Sequence, residues 1–115
     1  MRILSDFEVR SARKMSPKDV AVELACLPPE KAFRFRNPAV YTGFTAYSLD
    51  GFGEMLNYVP SDSVAYHLGR DDFAAWLRDV LHDEGLAGEV TACRSRLELI
   101  EAVDRKRKEL WALLK

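Results

Sequence analysis

Residues 61–87 read Ser61-Asp-Ser-Val-Ala-Tyr-His67-Leu-Gly-Arg-Asp-Asp72-Phe-Ala-Ala-Trp76-Leu-Arg-Asp-Val-Leu81-His-Asp-Glu-Gly-Leu-Ala87, and this stretch decides the fold. Phe73, Trp76, Leu77, Val80 and Leu81 recur at spacings of three and four, which puts them on one face of a helix. Ala75, Arg78, Asp79 and His82 fall on the other face. Just upstream, Ser61 or Ser63 is predicted to cap a short helix through Val64 and Leu68, and Gly69 to stop it. Asp71 or Asp72 then caps the helix that follows. Two helices therefore meet at a tight corner, with Trp76 expected at the centre of the core.

The same signals continue in both directions. Ser16-Pro17 and Asp19 open a helix to about Ala25: a hydroxyl cap, a proline whose missing N–H costs nothing at the first position, and an acid facing the helix dipole. Val20, Leu24 and Leu27 give it an apolar stripe, and Pro28-Pro29 ends it. Ala32-Phe33-Arg34-Phe35-Arg36 alternates apolar and basic residues, and Val40 to Thr45 is β-prone, so a short hairpin around residues 32–45 is expected. Ser48 caps a helix carrying Leu49, Phe52, Met55 and Leu56 as far as Pro60. Gly51 and Gly53 weaken it by about 1 kcal/mol each, so tertiary packing must support it. Downstream, Glu84 to Val90 extends helically. Ser95 with Glu98 forms a capping box that opens a last helix with Leu97, Ile100, Val103, Leu110, Trp111 and Leu114 as its apolar members. The fold class is mainly α: a compact single-domain bundle of about five helices over residues 16–115, with one short β-hairpin. Residues 1–15 follow no sustained hydrophobic period and are expected to be extended or mobile.

Composition bounds the function. At 115 residues roughly two-thirds of the unfolded chain's surface can be buried, so neither metal nor disulfide is needed. Seventeen basic against eighteen acidic side chains argue against a surface built throughout for nucleic acid or membrane. The charge is uneven: residues 61–89 carry two basic and seven acidic groups, and residues 94–115 seven and four. The acidic middle and basic tail can attract each other within one molecule or across a dimer. Cys26 and Cys93, set singly among apolar neighbours, read as reduced and buried thiols. Residues 1–15 contain no apolar run long enough for a signal peptide or a membrane span, which makes the cytoplasm the expected location.

At Val59-Pro60, Ser63, His67-Leu68, Asp72-Phe73, Trp76-Leu77, Val80, Asp83-Glu84 and Leu86-Ala87, with Ala46, Ser48-Leu49 and Phe52 upstream, the chain resembles a family of uncharacterised archaeal and bacterial domains. It is the domain-of-unknown-function family five-seven-five-two, and the resemblance covers about residues 28–110. Gly85 and His82 depart from the helix former and glycine usual there. The family has no assigned reaction, so the resemblance implies no catalytic or ligand role. The occurrence of relatives beside carbohydrate-active enzymes implies an accessory role near sugar metabolism.

Four constellations carry candidate chemistry. His67 with Asp71 or Asp72 can form an oriented general base, and Ser61, Ser63 and Thr42 are the hydroxyls on offer as nucleophile, Ser63 being the candidate for a hydrolase or transferase centred on His67 and Asp72. The same imidazole and carboxylate can instead brace the corner between two helices, which is the favoured reading. His67, Asp71, Asp72, His82 and Asp83 have donor types that suit zinc, manganese or iron. The two histidines are fifteen residues apart, however, with His82 on the wet face, so no metal and no cofactor are expected. Arg94, Arg96, Arg105 and Arg107, with Lys106 and Lys108, can contact nucleic-acid phosphates while Trp111 stacks on a base. The interleaved Glu98, Glu101, Asp104 and Glu109 favour pairing along the helix instead, as Glu101 with Arg105 and Asp104 with Lys108. Phe33, Phe35, Tyr41, Phe44 and Tyr47 form either core or a groove. The favoured function is a small non-catalytic protein-interaction or accessory module. Its contacts are Phe33, Phe35, Tyr41, Leu110, Trp111 and Leu114, and its partner is another protein or a second copy in a homodimer, with no membrane involved.

Overall fold

Polar caps and prolines divide the chain into six helices and one hairpin in the computed structural model, which describes residues 17–114. The elements are α1 (Pro17–Leu24), a 3-10 turn (Pro29–Lys31), β1 (Phe33–Arg36), β2 (Tyr41–Ala46), α2 (Leu49–Met55), α3 (Ser61–Arg70), α4 (Asp72–Asp79), α5 (Glu84–Ala92) and α6 (Arg96–Leu113). The mainly α single domain with a hairpin is therefore as the sequence indicated. The N-terminal segment 1–15 and the Ser16 cap lie outside the described residues.

Two caps form where they were expected. Ser48 Oγ accepts from Gly51 N–H at 2.9 Å, and Ser95 Oγ accepts from Glu98 N–H at 3.2 Å. The Glu98 carboxylate takes the Arg94 N–H, one residue before the cap. At α3 neither serine is the cap. Pro60 holds that position, its carbonyl accepting from Ser63 and Val64, because its fixed φ already aims the chain into the helix. Nor does Gly69 end α3. The helix runs through Arg70 and stops at Asp71, which adopts the left-handed conformation at φ 61°. His82 does the same at φ 59° after α4. The extra helix relative to expectation follows from that break: Asp83 caps α5 by accepting from Leu86 N–H at 2.9 Å, so residues 84–92 form a helix of their own.

β1 and β2 pair antiparallel, with Phe33 opposite Ala46 and a register shift between Arg34 and Arg36. Alternation along β1 buries Phe33 and Phe35 and exposes Arg34 and Arg36. The core is largely aromatic: Phe33 lies 4.9 Å from Phe35, 5.1 Å from Phe73 and 5.7 Å from both Phe52 and Trp76, centroid to centroid. Trp76 sits at the rim of this cluster rather than its centre, its indole N–H donating to the Lys31 carbonyl at 2.8 Å.

On α6 the buried face runs through Leu99, Ala102, Val103 and Leu110, whereas Leu97 is 65% exposed. The Ser95 cap sets this phase, because it fixes which side of the first turn meets the body. Cys26 is exposed and Cys93 half-buried, and both are free thiols. Cys26 is exposed between Leu24 and Leu27, the two neighbours that pack against the core.

Candidate functional site

His67 and Asp72 do come together. Asp71 turns the chain sharply between α3 and α4, and His67 Nδ1 meets Asp72 Oδ2 at 2.9 Å. The other ring nitrogen, Nε2, accepts the backbone N–H of Arg36 at 2.9 Å. An amide can only donate, so Nε2 carries no hydrogen and Nδ1–H donates to Asp72. Arg70 Nε also donates to Asp72 Oδ2 at 3.0 Å, its guanidinium 5.2 Å from the Tyr66 ring centroid. Phe33, Tyr66 and Phe73 surround the imidazole with ring centroids at 4.8, 5.0 and 5.3 Å, leaving the residue 4% exposed. Burial pushes the imidazole below its ordinary value, against the opposing pull of Asp72.

This geometry does not assemble a nucleophilic centre. Ser63 lies one turn before His67 and is fully buried, its Oγ without a hydrogen-bond partner. Its would-be base already has both nitrogens engaged. Asp71 turns outward, accepting from Thr91 Oγ1 at 3.3 Å, and His82 is exposed. No group of three or more potential metal ligands occurs among the described residues.

The residues expected to bind a partner divide in two. Phe33, Phe35 and Leu110 belong to the core, at 7%, 0% and 0% exposure, because strand alternation and the phase of α6 turn them inward. That corrects their assignment to a surface. Tyr41, Trp111 and Leu114 are exposed, and Leu113 joins them. Trp111 is held in place: its indole N–H donates to Asp50 Oδ2 at 3.0 Å, and Asp50 in turn accepts from Arg107 Nε at 2.9 Å. Asp50, Asp104, Arg107, Lys108 and Trp111 line a shallow cleft of about 330 Å³ between α2 and α6.

The arginines named for nucleic acid are engaged with the protein. Arg96 donates to the Leu56 carbonyl and to Ser61 Oγ, Arg94 to the carbonyls of Thr91 and Cys93, and Arg105 lies 3.7 Å from Glu89. Arg107 meets Asp50, Asp104 and Glu54, an arrangement that keeps its guanidinium firmly charged. In place of the pairs Glu101–Arg105 and Asp104–Lys108, Arg105 pairs with Glu89 on α5, and Asp104 pairs with Arg107, which Asp50 on α2 also meets.

Sequence reading missed Glu23 and Asp50, and gave Asp83 and Lys106 other roles, as a candidate metal ligand and a candidate phosphate contact. Asp83 directly before a helical run was a cap signal. Glu23 falls three residues after Val20, on the stripe assigned to the core. Asp50 and Lys106 gave no local sign, because their partners lie far along the chain. Comparison with protein-family models, curated proteins and solved structures returns no significant match.

Proposed function

We propose that this chain is a non-catalytic protein-interaction module that contacts its partner through the C-terminal end of α6. The observation that carries this reading is Trp111, 48% exposed yet fixed by its N–H bond to Asp50. An exposed indole normally loses rotational freedom on binding. Here the hydrogen bond removes much of that freedom beforehand, which is what an anchor residue needs. Leu113 and Leu114 extend its apolar surface. The engaged nitrogens of His67, and the lack of a nucleophile placed against it among the described residues, weigh against the hydrolase or transferase alternative. The committed guanidinium groups weigh against RNA or DNA. The resemblance of residues 28–110 to a family without an assigned reaction accords with an accessory role.

The simplest partner is a second copy, so sedimentation of the chain across micromolar to millimolar concentrations comes first. Self-association is expected to weaken by about thirtyfold or more in Trp111→Ala, as for an anchor worth at least ~2 kcal/mol. If the chain stays monomeric, a partner captured by the wild type must bind it as a purified protein, and Trp111→Ala must weaken that complex similarly. Unchanged affinity in a Trp111→Ala variant with native circular dichroism would overturn the reading.

A further inference from the structure

Glu23, Asp83 and Lys106 converge from α1, the start of α5 and the middle of α6, apart from both sites described above. Glu23 is 5% exposed and Asp83 8%. Asp83 Oδ1 is committed to the Leu86 N–H at 2.9 Å, and Asp83 Oδ2 lies 3.5 Å from Lys106 Nζ. One ammonium thus faces two buried carboxyl groups, and Glu109 on α6 adds to the negative field at Glu23. As bare acceptors, Glu23 Oε2 and Asp83 Oδ2 have no hydrogen-bond partner. Two ionised carboxylates would share one ammonium, leave Glu23 Oε2 without a donor and repel at low dielectric, whereas a hydrogen on one of them supplies the missing donor.

We infer that α1 is fastened to α5 and α6 by a proton held on Glu23 and shared with Asp83, a clasp that alkaline conditions open. Glu23 is the proton's holder because burial, then the Asp83 contact, pushes its carboxyl up to about 9. Asp83 goes the other way: its bonds to Glu23 and Leu86 and the charge of Lys106 outweigh the cost of burial and hold it below the usual carboxylate range. The charged groups facing the clasp are Asp83 from the α4–α5 junction and Lys106 and Glu109 from α6. On α2, which also packs against α1, Asp50 and Glu54 turn to Arg107. Asp19, a turn earlier on α1, is exposed.

The test is proton linkage. Folding that takes up one proton must lose tenfold in its equilibrium constant for each pH unit gained. Urea unfolding of the full chain between pH 7 and 8.5 should give that slope. In Glu23→Gln the amide donates permanently, so this variant should fold more tightly than wild type by a ratio that widens tenfold per unit. Comparing the two cancels every other titrating group. Asp83→Asn should flatten the slope as well, since its amide can donate to an ionised Glu23. Hydrogen exchange in wild-type α1 should accelerate with pH beyond the intrinsic chemical rate while α4 does not. Parallel pH curves for wild type and Glu23→Gln would overturn the clasp, as would failure of Glu23→Gln to fold or α1 exchange that follows the intrinsic rate alone.

Discussion

At the scale of single residues, His67 illustrates how a buried histidine is made inert. Its Nε2 is the acceptor for a strand amide and its Nδ1 the donor to a carboxylate, so each nitrogen joins a different part of the fold: β1 to α3, and α3 to α4. A general base needs one nitrogen free to take a proton, and this ring has none. The cost of removing it should therefore appear in stability. His67→Ala leaves the Arg36 N–H without its acceptor and a void among Phe33, Tyr66 and Phe73. Together these should cost about 2–4 kcal/mol in urea unfolding at pH 7. Asp72→Asn keeps an oxygen to accept from Nδ1–H and should cost only about 1 kcal/mol. A His67→Ala protein as stable as wild type would remove the structural role argued for this ring.

At the scale of elements, serine-capped starts at Ser48 and Ser95 were legible, whereas the start of α3 at Pro60 and its stop at Asp71 were not. Ser48 and Ser95 cap through bonds made within three residues, so sequence alone contains the whole interaction. Asp71 ends α3 in a left-handed conformation that glycine would adopt more readily, and His82 takes the same conformation in the link between Val80, where α4 stops, and the Asp83 cap of α5. The same division holds at the sites. His67 and Asp72 lie five residues apart across one turn and could be paired by spacing, whereas Glu23 with Asp83 and Asp50 with Arg107 join helices distant in sequence. Two glycines test the distinction. Gly69 lies inside α3 with open space where a Cβ would stand, so Gly69→Ala should stabilise by about 0.5–1 kcal/mol; a left-handed stop at that position would make it destabilising instead. At Gly53 an added Cβ would meet Arg107 Nη1 at 2.5 Å, and that guanidinium is tied to Asp50 and Asp104. Gly53→Ala should therefore cost about 1–3 kcal/mol despite its better helix propensity. Thermal or urea melts of the two variants should move in opposite directions.

At the scale of the whole molecule, two buried groups in separate clusters impose opposite pH dependences. His67 has its proton affinity lowered in the folded state, so the unfolded chain binds that proton more readily. Its contribution is complete above about 6.5 and declines as pH falls toward the lowered folded value. Glu23 is raised from 4.5 to about 9, so the folded chain holds a proton that the unfolded chain has released. Its contribution is complete below 4.5 and lost as pH rises toward 9. Asp83, lowered from 3.8, contributes above that value and is lost in stronger acid. Below 6.5, as far down as the lowered histidine value, the histidine and glutamate slopes oppose each other, while from 6.5 toward 9 the glutamate is the one of these three groups that titrates. Stability measured by urea unfolding should therefore level off on the acid side of neutrality and fall by about 1.4 kcal/mol per pH unit from pH 7 upward. Removing the histidine isolates the glutamate limb: in His67→Ala, with its lower overall stability, the decline should extend below pH 6.5, into the range where the histidine slope offsets it in the wild type. A maximum that stays above pH 7 in the wild type would mean that Glu23 is ionised in the folded chain. The three helices that meet around it would then be held by Lys106 with both carboxylates charged.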